Sequence, residues 1–210
     1  MPIGVVLADD HALVRQGLKA VLEQDGFAIL GEATNGEEAI RLVERVHPEV
    51  AILDVGMPVL NGLEAARELH KVAPETKVII LTRHEEDQYV IEALRAGVKG
   101  YVLKSQAARD LVQAVQQVRA GKVYLSPGVT HAVVDAYLSG KELPTDSLTA
   151  RERQVLQLVS EGKSTKEIAN LLGISVKTAE SHRGSLMRKL DIHETASLVR
   201  YAIRRGLVQP

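Results

Sequence analysis

Glu49-Val-Ala-Ile-Leu-Asp54-Val-Gly-Met-Pro58-Val-Leu-Asn61-Gly62 is the stretch whose reading decides the fold. Val50 to Leu53 form a short, unbroken apolar run bounded by polar residues and turn formers. Such a run reads as a strand buried on both faces, as in a parallel sheet covered by helices. Asp54 ends it. In open α/β sheets ligands bind outside the carboxyl ends of the strands, so an acid there is a candidate site residue. Pro58, Asn61 and Gly62 then make a turn, and Leu63-Glu-Ala-Ala-Arg-Glu-Leu69 begins a helix.

The flanking sequence repeats this alternation. Apolar, β-branched runs predict strands at residues 4–8, 28–31, 50–53, 78–81 and 101–103. Helical periodicity fills the gaps, at 13–23, 37–46, 63–72, 88–96 and 107–120. Five strands alternating with five helices predict a doubly wound parallel α/β sheet with helices on both faces. Asn35-Gly-Glu-Glu38 has the form of a helix N-cap, and Gly97 and Gly121 stand where helix C-caps belong. Residues 122–147 are less regular and read as a linker, with a helix around 130–138 opened by Ser126-Pro-Gly. Residues 148–210 are helical throughout, so the expected domains are 1–121, the linker 122–147, and 148–210.

Composition narrows the function classes. The 210 residues suffice for two small domains. The absence of Cys excludes disulfides, thiolate metal sites and Cys nucleophiles. No apolar run approaches the ~20 residues of a membrane span, and no signal peptide is evident, so the expected location is cytoplasmic, with no membrane partner. Charge is split: residues 148–210 carry 11 Lys/Arg against 6 Asp/Glu, and the rest carries 15 against 21. An acidic first domain and a basic second one suggest that the second meets nucleic acid.

Asp9 and Asp10 end the first strand as Asp54 ends the third, so three carboxylates converge on one sheet edge. They repel one another unless a cation lies among them, and oxygen-only ligands favour Mg²⁺. The fourth strand ends at Thr82 and the fifth at Lys104. An anion between Asp54, the metal, Thr82 and Lys104 would be well held, which suits phosphoryl transfer. Singly, each residue has an ordinary reading: Asp10 as a helix N-cap, Thr82 as a strand-end hydroxyl, Lys104 as a solvated charge. Together they fall at strand carboxyl ends in the order the fold needs.

Asp9-Asp10, Asp54, Met57-Pro58, Asn61-Gly62, Thr82 and Lys104 give residues 3–120 a specific resemblance to the receiver domain of bacterial response regulators. The resemblance implies a flavodoxin-like sheet of order 2-1-3-4-5, with Asp54 as phosphoacceptor. It makes Asp9, Asp10, Asp54 and the Gly56 backbone carbonyl the Mg²⁺ ligands. Thr82 and Tyr101 become the switch pair; phosphorylation is expected to draw Thr82 and Lys104 inward, with Tyr101 following. Ser105 after Lys104, where many receivers have Pro, and Arg83 after Thr82, where a small residue is common, depart from the pattern. Arg83 stands where it could crowd the phosphate.

The basic domain reads as four helices, 149–161, 165–172, 176–190 and 195–205. Capping boxes at Thr149-Ala-Arg-Glu152 and Ser164-Thr-Lys-Glu167 open the first two. The middle pair, joined at Gly173-Ile-Ser175, has helix-turn-helix form. Val176, Ala179, Leu186 and Leu190 are expected to make the apolar stripe of the third helix, with Lys177, Ser181, Gly184 and Arg188 on another face. Leu148-Thr-Ala-Arg-Glu-Arg-Gln-Val-Leu156, Lys166-Glu-Ile-Ala169 and Ile174-Ser-Val-Lys-Thr-Ala-Glu-Ser-His182 are similar to the LuxR-type DNA-binding domain, although Thr165 replaces a usual Asn and Ala179 a usual Val. Lys177 and Ser181 are candidates for base edges in double-stranded DNA; Lys166, Thr178, Arg183 and Arg188 are candidates for phosphates. Gly162-Lys163-Ser164 looks like the end of a P-loop, but position 157 is Gln where Gly is needed, and no strand precedes it.

Receiver plus LuxR-type domain is the layout of NarL/FixJ-type response regulators. It implies a phosphorylation-controlled transcription factor and not an enzyme. The implied partners are a sensor histidine kinase, DNA, a second copy of the chain when phosphorylated, and RNA polymerase as a further candidate. Two alternatives remain at this point: a receiver that only dimerises without being phosphorylated, and an Mg²⁺-dependent phosphohydrolase. Gly56, where the latter would place a second Asp, speaks against the enzyme.

Overall fold

The computed structural model describes residues 2–83, 87–129, 148–204 and 207–208. The helix expected around 130–138 lies outside them. Two compact units form, Met1–Leu143 and Pro144–Pro210.

In the first unit the strands are β1 (Gly4–Ala8), β2 (Ala28–Ala33), β3 (Val50–Asp54), β4 (Lys77–Thr82), β5 (Gly100–Leu103) and β6 (Tyr124–Leu125). Five helices separate the first five strands and follow the fifth: α1 (Ala12–Gln24), α2 (Gly36–Val46), α3 (Gly62–Val72), α4 (Asp87–Arg95) and α5 (Ala107–Arg119). The sheet order is β2-β1-β3-β4-β5-β6, and every pairing is parallel. All five residues of β3 are buried because one apolar layer packs on each sheet face. From β1 the chain winds out to β2 and returns across the sheet to β3. The direction of winding therefore reverses between β1 and β3, and a crevice opens at their carboxyl ends.

A sixth strand was not expected. Tyr124 and Leu125 pair with Gly100 and Tyr101. Two residues are too few to leave a periodic signal; side chains hold them instead. The buried Ser126 hydroxyl donates to Asp110 of α5 (2.9 Å) and accepts from the Leu103 N–H (3.2 Å). Burial, with Asp110 beside it, pushes the Tyr124 phenol up to about 12.

The caps follow their sequence signals. Asn35 and Asn61 accept from Glu38 N and Glu64 N, each at 2.9 Å, and so open α2 and α3. Gly97 and Gly121 take positive φ where α4 and α5 end. Val59, between Pro58 and Leu60, also takes positive φ (68°). A β-branched residue there is strained, at a cost on the order of 1–3 kcal/mol. Asn tolerates that conformation, so Val59→Asn is expected to raise stability by about 1 kcal/mol. Urea unfolding checks it; a midpoint that does not rise counts against strain at this position.

The second unit contains α6 (Ala150–Ser160), α7 (Thr165–Leu171), α8 (Val176–Leu190) and α9 (Thr195–Arg204) around one apolar cluster. Both capping boxes form, at Thr149/Glu152 and Ser164/Glu167. The Gly162-Lys163-Ser164 stretch is the joint between α6 and α7: Gly162 takes φ 81°, and Ser164 caps the next helix. The Lys189 ammonium reaches the buried Glu152 carboxylate at 2.7 Å and so ties α8 to α6.

Candidate functional sites

The crevice at the end of β1 and β3 brings the predicted acids together. Asp9 is fully buried, Asp54 is 1% exposed, and Asp10 is open to solvent. Lys104, from the end of β5, places its ammonium 2.9 Å from Asp9 Oδ2 and 2.9 Å from Asp54 Oδ2. The loop after β5 aims it there, because Lys104 N donates to Thr82 O (2.7 Å). Thr82 and Tyr101 are both buried. Tyr101 is 1% exposed and packs with the apolar layer on one sheet face. Arg83 is exposed.

Each oxygen of the acid pair has a different environment. Asp9 Oδ1 accepts from the His11 N–H (2.8 Å), and Asp9 Oδ2 from Lys104. Asp54 takes the Gly56 N–H. Its buried Oδ2 lies close to Lys104 but off the direction of a hydrogen bond, so it has Coulomb attraction and no aligned donor. Burial raises the Asp54 carboxyl above the ordinary range; the Lys104 charge opposes this, and the Asp9 charge adds to it. A cation or phosphoryl group would meet a desolvated oxygen with unused capacity. Carboxylate oxygens of Asp9, Asp10 and Asp54 and a ring nitrogen of His11 lie within 4.8 Å of one another, so this pocket could bind a metal ion.

His11 stands beside the acids of that pocket, a neighbour the sequence reading did not single out. It precedes α1 in extended conformation, and its ring turns back so that Nδ1 sits 2.7 Å from Asp10 Oδ1. The signal was present as the contiguous Asp9-Asp10-His11, but a lone His gives no direction until the chain turn is known. Arg15, also unassigned, donates to the Asp9 carbonyl (2.7 Å) and pairs with Glu32 (2.9 Å). It thus braces β1 against β2 beneath the acids.

In the helical unit, Ala179 and Leu186 of α8 are buried, and Leu190 packs against the same cluster. Val176 does not join this stripe; it is 43% exposed. It is the first residue of the helix and projects past the point where α8 meets its neighbours. Lys177, Ser181, Gly184 and Arg188 are exposed together, as is Lys166 on α7. Ser175 caps α8 by accepting from Thr178 N (3.1 Å), and the Thr178 hydroxyl lies 2.8 Å from Ser175 Oγ. Arg183 is half-buried and donates to Thr195 Oγ1 at 2.7 Å. That bond joins it to the start of α9.

Residues 5–116 match the family described as response regulator receiver domain, and residues 146–202 match bacterial regulatory proteins, luxR family. The chain is 38% identical to the transcriptional regulatory protein MctR of Rhizobium johnstonii, covering 98% of this chain and 95% of that one. It is 36% identical to the oxygen regulatory protein NreC of Staphylococcus carnosus, covering 97% and 98%. Among solved structures it is similar to RcsB of Salmonella enterica serovar Typhimurium, bound to a promoter in the presence of phosphomimetic BeF3-. That similarity has TM-score 0.65 and 27% identity and covers 96% of this chain and 98% of that one. Among the described residues no helix is long and apolar enough to cross a membrane. A covered parallel sheet with an acidic crevice, a helix-turn-helix unit, and relatives matched almost end to end identify the chain as a NarL/FixJ-family response regulator, a receiver joined to a LuxR-type DNA-binding domain.

Proposed function

We propose that Asp54 accepts a phosphoryl group from the phosphohistidine of a partner sensor kinase, and that the modified chain dimerises and binds operator DNA through α8. The observation that carries this is the buried Asp54 Oδ2, which lacks an aligned donor and lies 2.9 Å from Lys104. Asp54 forms the new P–O bond as the donor's P–N bond breaks, and the histidine keeps the leaving electron pair. Lys104 and the Thr82 hydroxyl stabilise the incoming oxygens by charge and hydrogen bonding. Mg²⁺, held by Asp9, Asp10, Asp54 and the Gly56 carbonyl, would supply charge neutralisation between the carboxylates and the phosphoryl oxygens. In moving toward the phosphate, Lys104 loosens its hold on Asp9, which biases the two-state equilibrium of the receiver. This reading places the protein in the cytoplasm with its DNA, as a switch and not a turnover enzyme.

On DNA, Lys177 and Ser181 reach base edges from the amino-terminal half of α8. Arg188, Lys166, Thr178 and Arg183 serve phosphates, Arg183 from its seat on Thr195. The promoter-bound RcsB relative supports a DNA role for this unit. The test uses the full chain with a small phosphodonor and Mg²⁺. Sedimentation should show a dimer only after phosphorylation, and DNA affinity should rise with it. Lys177→Ala should cost about 1–3 kcal/mol on a selected site and relax base preference. Arg188→Ala should weaken all sequences alike and lower the salt slope by roughly one. Unchanged mass and unchanged DNA affinity after confirmed phosphorylation would defeat the switch.

A further inference from the structure

Glu180 is an acid on the surface that otherwise presents Lys177, Ser181 and Arg188. It is the fifth residue of α8. Buried Ala179 and Leu186 mark the side of the helix turned to the core. Residues four apart lie on one face, so Glu180, Gly184 and Arg188 form a ridge on the open side, next to Lys177 and Ser181. All five are exposed. A Cβ on Gly184 would meet nothing within 4 Å, so the ridge has a gap beside Glu180 through which a base edge can approach.

The protein itself does not use this carboxylate. The two basic residues within one helical turn are Lys177, three positions before, and Arg183, three after. Arg183 is bonded to Thr195, and position 184, where an i+4 partner would stand, has no side chain. Among the described residues Glu180 has neither a hydrogen bond nor an ion pair. An unpaired acid facing DNA is repelled by phosphates, and a base-edge donor relieves that. In the major groove cytosine offers its N4 amine, from which a carboxylate accepts. Adenine also offers an amine, but beside its N7 acceptor, which repels a second acceptor.

The geometry points to Glu180 as a specificity-determining residue that accepts a hydrogen bond from the N4 amine of one cytosine in each half-site. Its charge disfavours the other bases at that position. This rests on α8 being the DNA reader. The test selects binding sites from random duplexes with the full, phosphorylated chain and with Glu180→Ala, Glu180→Gln and Lys177→Ala. Glu180→Ala is expected to lose preference at one C·G position per half-site, by roughly 5- to 150-fold, and to keep the rest. Glu180→Gln is expected to move that position toward adenine, whose N6/N7 edge a carboxamide matches. Both variants should bind random DNA more tightly. If neither variant changes any position, Glu180 is a solvated charge and the inference falls, whatever happens to random binding. Lys177→Ala separates the two levels. If it alters binding while the Glu180 variants change no position, only this inference fails; if none of the three has an effect, α8 fails as the reader too.

Discussion

Asp54→Asn is expected to abolish phosphoryl acceptance and, at the same time, to make the receiver more stable at neutral pH. Chemistry gives the first effect: a carboxamide has no anionic oxygen to attack phosphorus. Intact-mass analysis after treatment with a small phosphodonor and Mg²⁺ should find one phosphoryl group on the natural chain and none on the variant. Labelling that persists would move the acceptor to Asp9 or Asp10. The second effect follows from the raised carboxyl of Asp54, which burial causes first of all. A carboxyl whose folded pKa lies above its ordinary 3.8 favours the folded state most when protonated. That stability is present below 3.8 and is lost as pH rises through the raised folded value. The amide carries no such charge, so the variant should melt higher at pH 7, and the difference should close in acid. Mg²⁺ should stabilise the natural chain more than the variant, because binding to the folded state adds stability only where ligands exist. A variant that melts lower than the natural chain at pH 7 would show that Lys104 outweighs burial.

Gly62→Ala is expected to cost about 3 kcal/mol and to slow phosphorylation by on the order of 100-fold. A Cβ at Gly62 would stand 2.2 Å from the Asp54 carbonyl oxygen and 2.8 Å from its carbon, both backbone atoms. No rotamer change relieves that contact; the first turn of α3 or the end of β3 must move. The end of β3 carries Asp54, the proposed acceptor, and a displacement near 1 Å is enough to spoil in-line attack. Gly17, within α1, is the control: a Cβ there meets nothing within 4 Å. Gly17→Ala should stabilise by up to about 1 kcal/mol through helix propensity alone. Urea unfolding and phosphorylation rates of the two variants check this. Equal stability of both would remove the close approach as the reason for a glycine at position 62.

The alternation of residues 1–120 carried the order of elements, because buried strands and amphipathic helices differ in period and those periods are written residue by residue. The apolar run Val50–Leu53 with Asp54 at its end placed the acid at the strand's carboxyl edge. The same logic put Asp9, Thr82 and Lys104 on one rim, since parallel strands end on one side. Caps were equally local: Asn35, Thr149, Ser164 and Ser175 need only their own next three residues. The tertiary structure alone decided whatever depends on distance across the fold. Gly62 read as a turn former, yet its necessity is steric and comes from the Asp54 carbonyl packed against it. His11 joined the acids because α1 begins with a turn that points its ring back. Strand β6 is two residues long and exists because Ser126 and Asp110 secure it to β5. Val176 has the spacing of a core residue, but the helix begins beyond the edge of the core. Periodicity tells a residue which face it is on, and only the packed neighbours tell how close that face lies to anything else.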